Sequence, residues 1–249
     1  MGLFDLFKSK SKDNGSGEKK KSGAAAKWAE AAGSKRAQAY DRQEAIQELS
    51  KLGTAEAVEA LLKRFTFQID PSITDQEEKE LAFDGILKAG KDAIEPVRAF
   101  TAKAESLGWP IRIAKELLDE EELVEELVLW LSKWDTEYAK FIDPKLQLLE
   151  ELGHHVHPSI REAVEPFLQD ASDPARFNAV VASLAQKDEA SLQPLLALLL
   201  DEESVRIRTK IADGLVNLGW EIPDDQRDAV RKVLPPQFNV DGSGRVTKR

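Results

Sequence analysis

The chain of 249 residues contains no cysteine, which excludes disulfides, thiolate metal sites and thiol catalysis. It also lacks any apolar run near the roughly 18 residues that a membrane-spanning helix needs. The N-terminal stretch MGLFDLFK is too short for the core of a signal peptide, and its lysines follow the apolar residues instead of preceding them. These absences predict a soluble, cytoplasmic protein.

Charge is unevenly distributed along the chain. The net charge is -10, but residues 1–36 contain nine Lys and Arg against four Asp and Glu, and residues 241–249 contain three against one. The segment from 37 to 240 therefore has a net charge of -17. A body this acidic repels phosphates and favours basic partners, so a protein partner, basic in character, is expected and a nucleic-acid partner is not.

A helix–turn–helix pattern recurs along the chain. Helix-ending glycines stand at Gly53, Gly90, Gly153 and Gly219, and a glycine-free equivalent lies around Gln186. Gly153, Gln186 and Gly219 follow one another at intervals of 33 residues. A period in this range is typical of stacked helical repeats. The pattern predicts an all-α fold of about six helix pairs.

Prolines mark the openings of helices. The segments AIEPV, AVEPF and SLQPL place Pro96, Pro166 and Pro194 in a first turn, where the missing N–H costs little because those amides have no intrahelical partner. The Asp-Pro pairs at 143–144 and 173–174 combine a capping carboxylate with a proline suited to the first helical position. Each helix pair is thus expected to have its own start signals.

Three regions follow from this pattern. Residues 1–36, rich in lysine, serine and glycine, are predicted to be a disordered basic tail, in which AAAKWAEAA could form a short helix. The repeats fill residues 37–234. Residues 235–249 are predicted to be an extended end or a loose hairpin around Asp241 and Gly242.

The recurring motifs resemble HEAT repeats, particularly the short variety of bacterial proteins and phycobilisome lyases. The Val205–Arg206 and Ile111–Arg112 pairs, the Leu-Gly helix ends and the early prolines carry the resemblance. It covers roughly residues 40–234 and implies a right-handed α-solenoid. Most HEAT proteins are scaffolds that bind other proteins, and a minority are enzymes, so fold alone does not decide between the two.

The three histidines lie together at His154, His155 and His157. Imidazoles can ligate a transition metal, and some HEAT-like hydroxylases bind iron through histidine and glutamate pairs on opposed repeats. This chain has no second histidine pair in another repeat. A polar turn between helices is therefore the preferred interpretation, with no metal, cofactor or catalytic residue predicted.

Aromatic residues offer a different kind of site. Trp130 and Trp134 stand four residues apart on one helix face, and Tyr138 continues the line. Such a stripe is more often core than interface, but exposed Trp and Tyr are common anchors of protein interfaces. Trp134 and Tyr138 are therefore the candidate partner-binding aromatics.

The N-terminus offers a membrane alternative. Leu3, Phe4 and Phe7 can gather on one side of a short helix, with Lys8 beside them and further lysines behind, which suits weak contact with an anionic membrane surface. Against it, a helix of two turns is unstable alone in water.

Three functions are thus kept. A non-enzymatic interaction scaffold or adaptor is preferred. The alternatives are a membrane-peripheral adaptor acting through the N-terminus, and a lyase-like or hydroxylase-like HEAT enzyme or accessory protein.

Overall fold

The computed structural model describes residues 14–249, with side chains from residue 23 onward. This part of the chain is all-α apart from one two-stranded antiparallel sheet. The α-helices are α1 (Asn14–Ala32), α2 (Ala39–Ser50), α3 (Ala55–Leu62), α4 (Ser72–Leu87), α5 (Ile94–Thr101), α6 (Gly108–Leu117), α7 (Glu120–Leu131), α8 (Asp143–Leu152), α9 (Pro158–Val164), α10 (Asp173–Ala185), α11 (Leu192–Asp201), α12 (Val205–Leu218) and α13 (Arg227–Val233). The strands are β1 (Phe238–Val240) and β2 (Val246–Lys248). None of the described helices is both long enough and apolar enough to cross a lipid bilayer.

The helices form two compact units, which are described separately. Unit 1 contains the described residues up to 104 together with 108–118, and unit 2 contains 105–107 together with 119–249. In unit 1, α4 packs against α2 and α6, and α3 packs against α5, so the helices form two rows. Apolar side chains such as Ile46, Leu61 and Ile86 are buried between the rows.

The first helix covers one end of unit 1. Helix α1 packs against both α2 and α3, and its residues Ala25 and Ala32 are buried. Residues 1–36 were expected to form a disordered tail, but the described part of that segment contains helix α1. The reason is a run of small side chains, which lets α1 approach two neighbours closely while Lys27 stays exposed.

A buried ionic cluster joins three elements of unit 1. Glu78 on α4 accepts two hydrogen bonds from Arg42 on α2, at 2.8 and 3.0 Å, and a third from Arg64 at 2.8 Å. Arg64 also donates to Asp75 at 2.8 Å, and Lys79 contacts the other oxygen of Asp75 at 2.6 Å. Burial would raise the pKa of Asp75, but these donors and the Ile69 N–H together hold that pKa below its ordinary value.

Unit 2 also has two rows of helices. Helix α10 packs between α8 and α12 in one row, while α9 and the 3₁₀ turn that follows it, Glu165–Gln169, lie between α7 and α11 in the other. Helix α13 packs on α11, and the hairpin of β1 and β2 contacts α12 and α13. The buried side chains of Phe238, Val240 and Val246 make the hairpin part of the core at this end, which matches the hairpin alternative for residues 235–249.

The turns between helices match the expected glycine positions in most cases. Gly53, Gly90 and Gly219 have positive φ, the conformation that glycine adopts without steric cost. Gly153 does not, because its φ is -67°. At the glycine-free turn around Gln186, Lys187 takes the left-handed conformation with φ 55°, so the chain makes the same turn there without glycine.

Candidate functional site

Unit 2 contains a repeated hydrogen-bond pattern that the sequence period did not reveal. Three acidic residues, Asp135, Asp170 and Glu202, each accept a hydrogen bond from the backbone N–H two positions later, at 3.1, 2.8 and 2.9 Å. Each of them therefore fixes the turn that leads into the next helix pair. Asp170 and Glu202 stand 32 residues apart.

Basic residues connect these acids in sequence. Lys145 donates to the backbone carbonyl of Asp135 at 3.1 Å and to the carboxylate of Asp170 at 2.6 Å. Arg176 repeats the arrangement one pair later, donating to the carbonyl of Asp170 at 3.0 Å and to both oxygens of Glu202. We call this series the acid–base ladder; it links successive helix pairs of unit 2 by equivalent contacts.

The ladder is incomplete at its last position. Arg208, 32 residues after Arg176, donates to the carbonyls of Glu203 at 3.3 Å and Val233 at 3.4 Å. Its Nε atom is buried and has no hydrogen-bond partner among the described residues. The position equivalent to Glu202 is Leu234, whose side chain cannot accept a hydrogen bond.

The ladder shows where unit 2 carries extra residues. The acid and the following base are six residues apart in the pairs Asp170–Arg176 and Glu202–Arg208, but Asp135 and Lys145 are ten apart. The spacing from acid to base is therefore four residues longer at Asp135 and Lys145, which flank the end of the segment between α7 and α8. We call residues 132–142 the aromatic loop.

The aromatic loop holds large side chains in water. Tyr138 is 83% exposed and Phe141 is 73% exposed, with the Lys140 ammonium 5.2 Å from the Phe141 ring centre. Trp134, the other predicted aromatic, is half-buried at the start of the loop. The two predicted aromatics thus lie at or near the surface, and Phe141 is a third. The sequence alone did not indicate Phe141, because the extra residues of the aromatic loop are recognised only from the ladder.

Of the other tryptophans, Trp130 and Trp220 are buried, whereas Trp28 and Trp109 are half-buried. Trp130 is 3% exposed and donates from its indole N–H to Glu126, while Trp220 is 9% exposed. Trp109 stacks on Phe65 with ring centres 4.8 Å apart. Trp130 and Trp220 therefore offer almost no surface to a partner.

The histidine cluster forms a turn. His155 is buried, with its Nδ1 atom 2.6 Å from Glu120 and its Nε2 atom 3.1 Å from Glu151. His157 caps α9, because its side chain accepts a hydrogen bond from the N–H of Ser159. In the described part of the chain, no group of three or more His, Asp or Glu side chains is placed to hold a metal ion.

A groove lies on the second row of helices in unit 2. It has a volume of about 590 Å³ and is lined by residues from the end of α9, its 3₁₀ turn and α11. Arg161 lines it and pairs with Glu162 at 2.9 Å, Glu165 at 2.7 Å and Asp188 at 3.2 Å. On the neighbouring helix α7, Glu121 and Glu125 are exposed, so carboxylates continue along this row.

The predicted membrane-contact residues Leu3, Phe4, Phe7 and Lys8 lie outside the described residues. Comparison of the chain with protein-family models finds no match, and comparison with curated proteins finds no similar sequence.

Proposed function

We propose that the protein is a non-enzymatic scaffold or adaptor that binds another protein, and that its helix pairs are HEAT-like repeats stacked as in a right-handed α-solenoid. The acid–base ladder supports the repeat, since Lys145 and Arg176 make equivalent contacts in successive pairs. The observation that carries the binding function is the exposure of Tyr138 and Phe141 on the aromatic loop.

The physical basis is the free energy available at those side chains. Burying a large apolar side chain contributes about 1.5–3 kcal/mol, and aromatic residues recur among the few anchors that supply most of the affinity of an interface. The aromatic loop lengthens one connection of the ladder by four residues. The other connections show that unit 2 stacks its pairs without such an insertion, so the extra residues are available for binding.

The partner's charge follows from the surroundings. Residues 119–170 contain 14 Asp and Glu against four Lys and Arg, and the ladder and the capping box of α7 use only some of these acids. A basic protein approaching unit 2 gains from long-range attraction, which raises the association rate and selects against acidic competitors. We place this binding in the cytoplasm, with nucleic acid disfavoured by the same charge.

The test is capture of partners from the native cell with the full chain. We expect one or more proteins to be retained by the natural sequence and lost with Y138S/F141S. The matched control is Y40S/I73S, which removes two side chains of similar exposure, 76% and 70%, from unit 1. Equal loss with both variants, or equal retention by both, would contradict the proposed function of the aromatic loop.

A further inference from the structure

The groove on the second row of unit 2 has an apolar floor and a charged rim. Leu168 is buried at its base, and the side chains of Pro166, Pro194 and Ala197 line its walls. Pro166 and Ala197 are exposed, so the groove is accessible from solvent at these two residues. A volume of about 590 Å³ accepts one or two large side chains.

The rim favours cations. Arg161 is outnumbered by the three carboxylates that surround it, Glu162, Glu165 and Asp188. The Glu162 side chain is 78% exposed and that of Glu165 is 40% exposed. Each contacts Arg161 through one oxygen, so the second oxygen of each can accept a hydrogen bond from an incoming ammonium or guanidinium.

The chain segment that forms one side of the groove has an excess of acidic residues. In residues 146–170, Arg161 is the only Lys or Arg, against five Asp and Glu. The groove therefore attracts positive charge beyond what Arg161 supplies. Anionic ligands such as nucleotides meet repulsion at the same rim.

We infer that this groove binds a basic segment of the partner protein, in which an Arg or Lys lies next to an apolar side chain. The apolar side chain packs on Leu168 between the proline walls, and the neighbouring cation meets the free oxygens of Glu162 and Glu165. This inference rests on the proposed function, because it assigns a second contact to the same partner.

The experiment measures binding of fluorescein-labelled twelve-residue peptides to the full chain by fluorescence anisotropy. One peptide alternates Arg and Leu, a second alternates Arg and Gly, and a third alternates Glu and Leu. We expect the Arg-Leu peptide to bind with a salt-dependent affinity, the Arg-Gly peptide to bind about tenfold more weakly, and the Glu-Leu peptide not to bind.

Two variants locate the site. Ala197→Trp fills the groove without changing charge, and E162Q/E165Q removes two rim charges while Asp188 still holds Arg161. Each variant is expected to lower the affinity for the Arg-Leu peptide about tenfold. The control E150Q/D225N removes two exposed carboxylates elsewhere in unit 2 and is expected to change affinity less than twofold. Circular dichroism confirms that each variant folds.

The outcomes separate the two proposals. Unchanged binding to Ala197→Trp overturns the groove inference, and so does equal weakening by E162Q/E165Q and E150Q/D225N, which would reduce the attraction to net charge. If Ala197→Trp retains the cellular partner while Y138S/F141S loses it, the groove inference fails and the proposed function stands. If the natural sequence captures no protein from the cell, the proposed function fails as well.

Discussion

Arg176 and Glu202 form a bidentate pair between successive helix pairs, with 2.7 Å from Nε to Oε2 and 3.0 Å from Nη2 to Oε1. Burial alone would raise the pKa of Glu202, but the hydrogen bond from Arg176, the Ser204 N–H and the charge of Arg176 outweigh it and lower that pKa below its ordinary value of 4.5. The same pairing raises the pKa of Arg176. The pair of Arg176 and Glu202 is therefore ionic at neutral pH.

Glu202→Gln is expected to destabilise the protein by about 2 kcal/mol at pH 7, since it leaves Arg176 with a neutral partner; the value is below that for a fully buried pair because Arg176 is 20% exposed. A carboxylate whose pKa is lowered by folding stabilises above its unfolded pKa, and this contribution is lost as pH falls through the folded pKa. Urea unfolding should therefore show a constant difference between natural sequence and variant from pH 8 to about pH 5.5, and a shrinking one below about pH 4.5. A difference that grows in acid would contradict the assignment.

Glu78→Gln is expected to cost more, about 3–5 kcal/mol, because Glu78 is buried and serves both Arg42 and Arg64. Removing its charge leaves two buried guanidinium groups with Asp75 alone among the acids of the cluster. Glu77→Gln, at an exposed neighbouring position, is the control and should change the free energy of unfolding by less than about 0.5 kcal/mol. Similar losses from the two variants would rule out the cluster as the cause.

Gly85→Ala tests the close approach of α2 and α4. A Cβ at this position would lie 2.1 Å from Ser50 Oγ and 2.9 Å from Ser50 Cβ, so the helices must move apart at a cost of about 1–3 kcal/mol. Gly23→Ala adds the same methyl group to α1 where nothing lies within 4 Å. It should stabilise by about 0.5–1 kcal/mol, because alanine favours helix over glycine. Thermal unfolding that shifts both variants in the same direction would contradict this packing.

Leu234→Glu tests the ladder as a repeat. The new carboxylate takes the position equivalent to Asp170 and Glu202, where the buried Nε of Arg208 lacks a partner among the described residues. A double-mutant cycle with Arg208→Met should give a favourable coupling of about 1 kcal/mol or more between positions 208 and 234. Zero coupling would show that the last helix pair departs from the geometry of the two before it.

The all-α class and most helix boundaries were predictable from the sequence because their signals are local. Asp119 caps α7 through a capping box with Glu122, and Pro96 and Pro194 fall in the first turns of α5 and α11 as expected. Pro166 differs, because it lies in the 3₁₀ turn that follows α9. Each signal depends on residues at most four positions apart, so the order of amino acids is enough to find it.

The site was harder to predict because its signals are long-range. Arg176 and Glu202 are 26 residues apart, and Arg42 and Glu78 are 36 apart, so charge composition cannot show which acids are paired and which are open. Helix α1 was underestimated for a similar reason: small side chains at Ala25 and Ala32 give weak local signals, and only their burial against α2 and α3 shows that the segment packs.

Photo-crosslinking from position 141 tests most directly whether the aromatic loop binds a protein. A benzophenone amino acid replaces Phe141 in the full chain, and a second chain carries it in place of Tyr40, which is equally well exposed on unit 1. We expect illumination in the native cell to join position 141 to a discrete basic protein and to give no such product from position 40. The same products from both positions, or none from 141, would contradict a binding role for the loop.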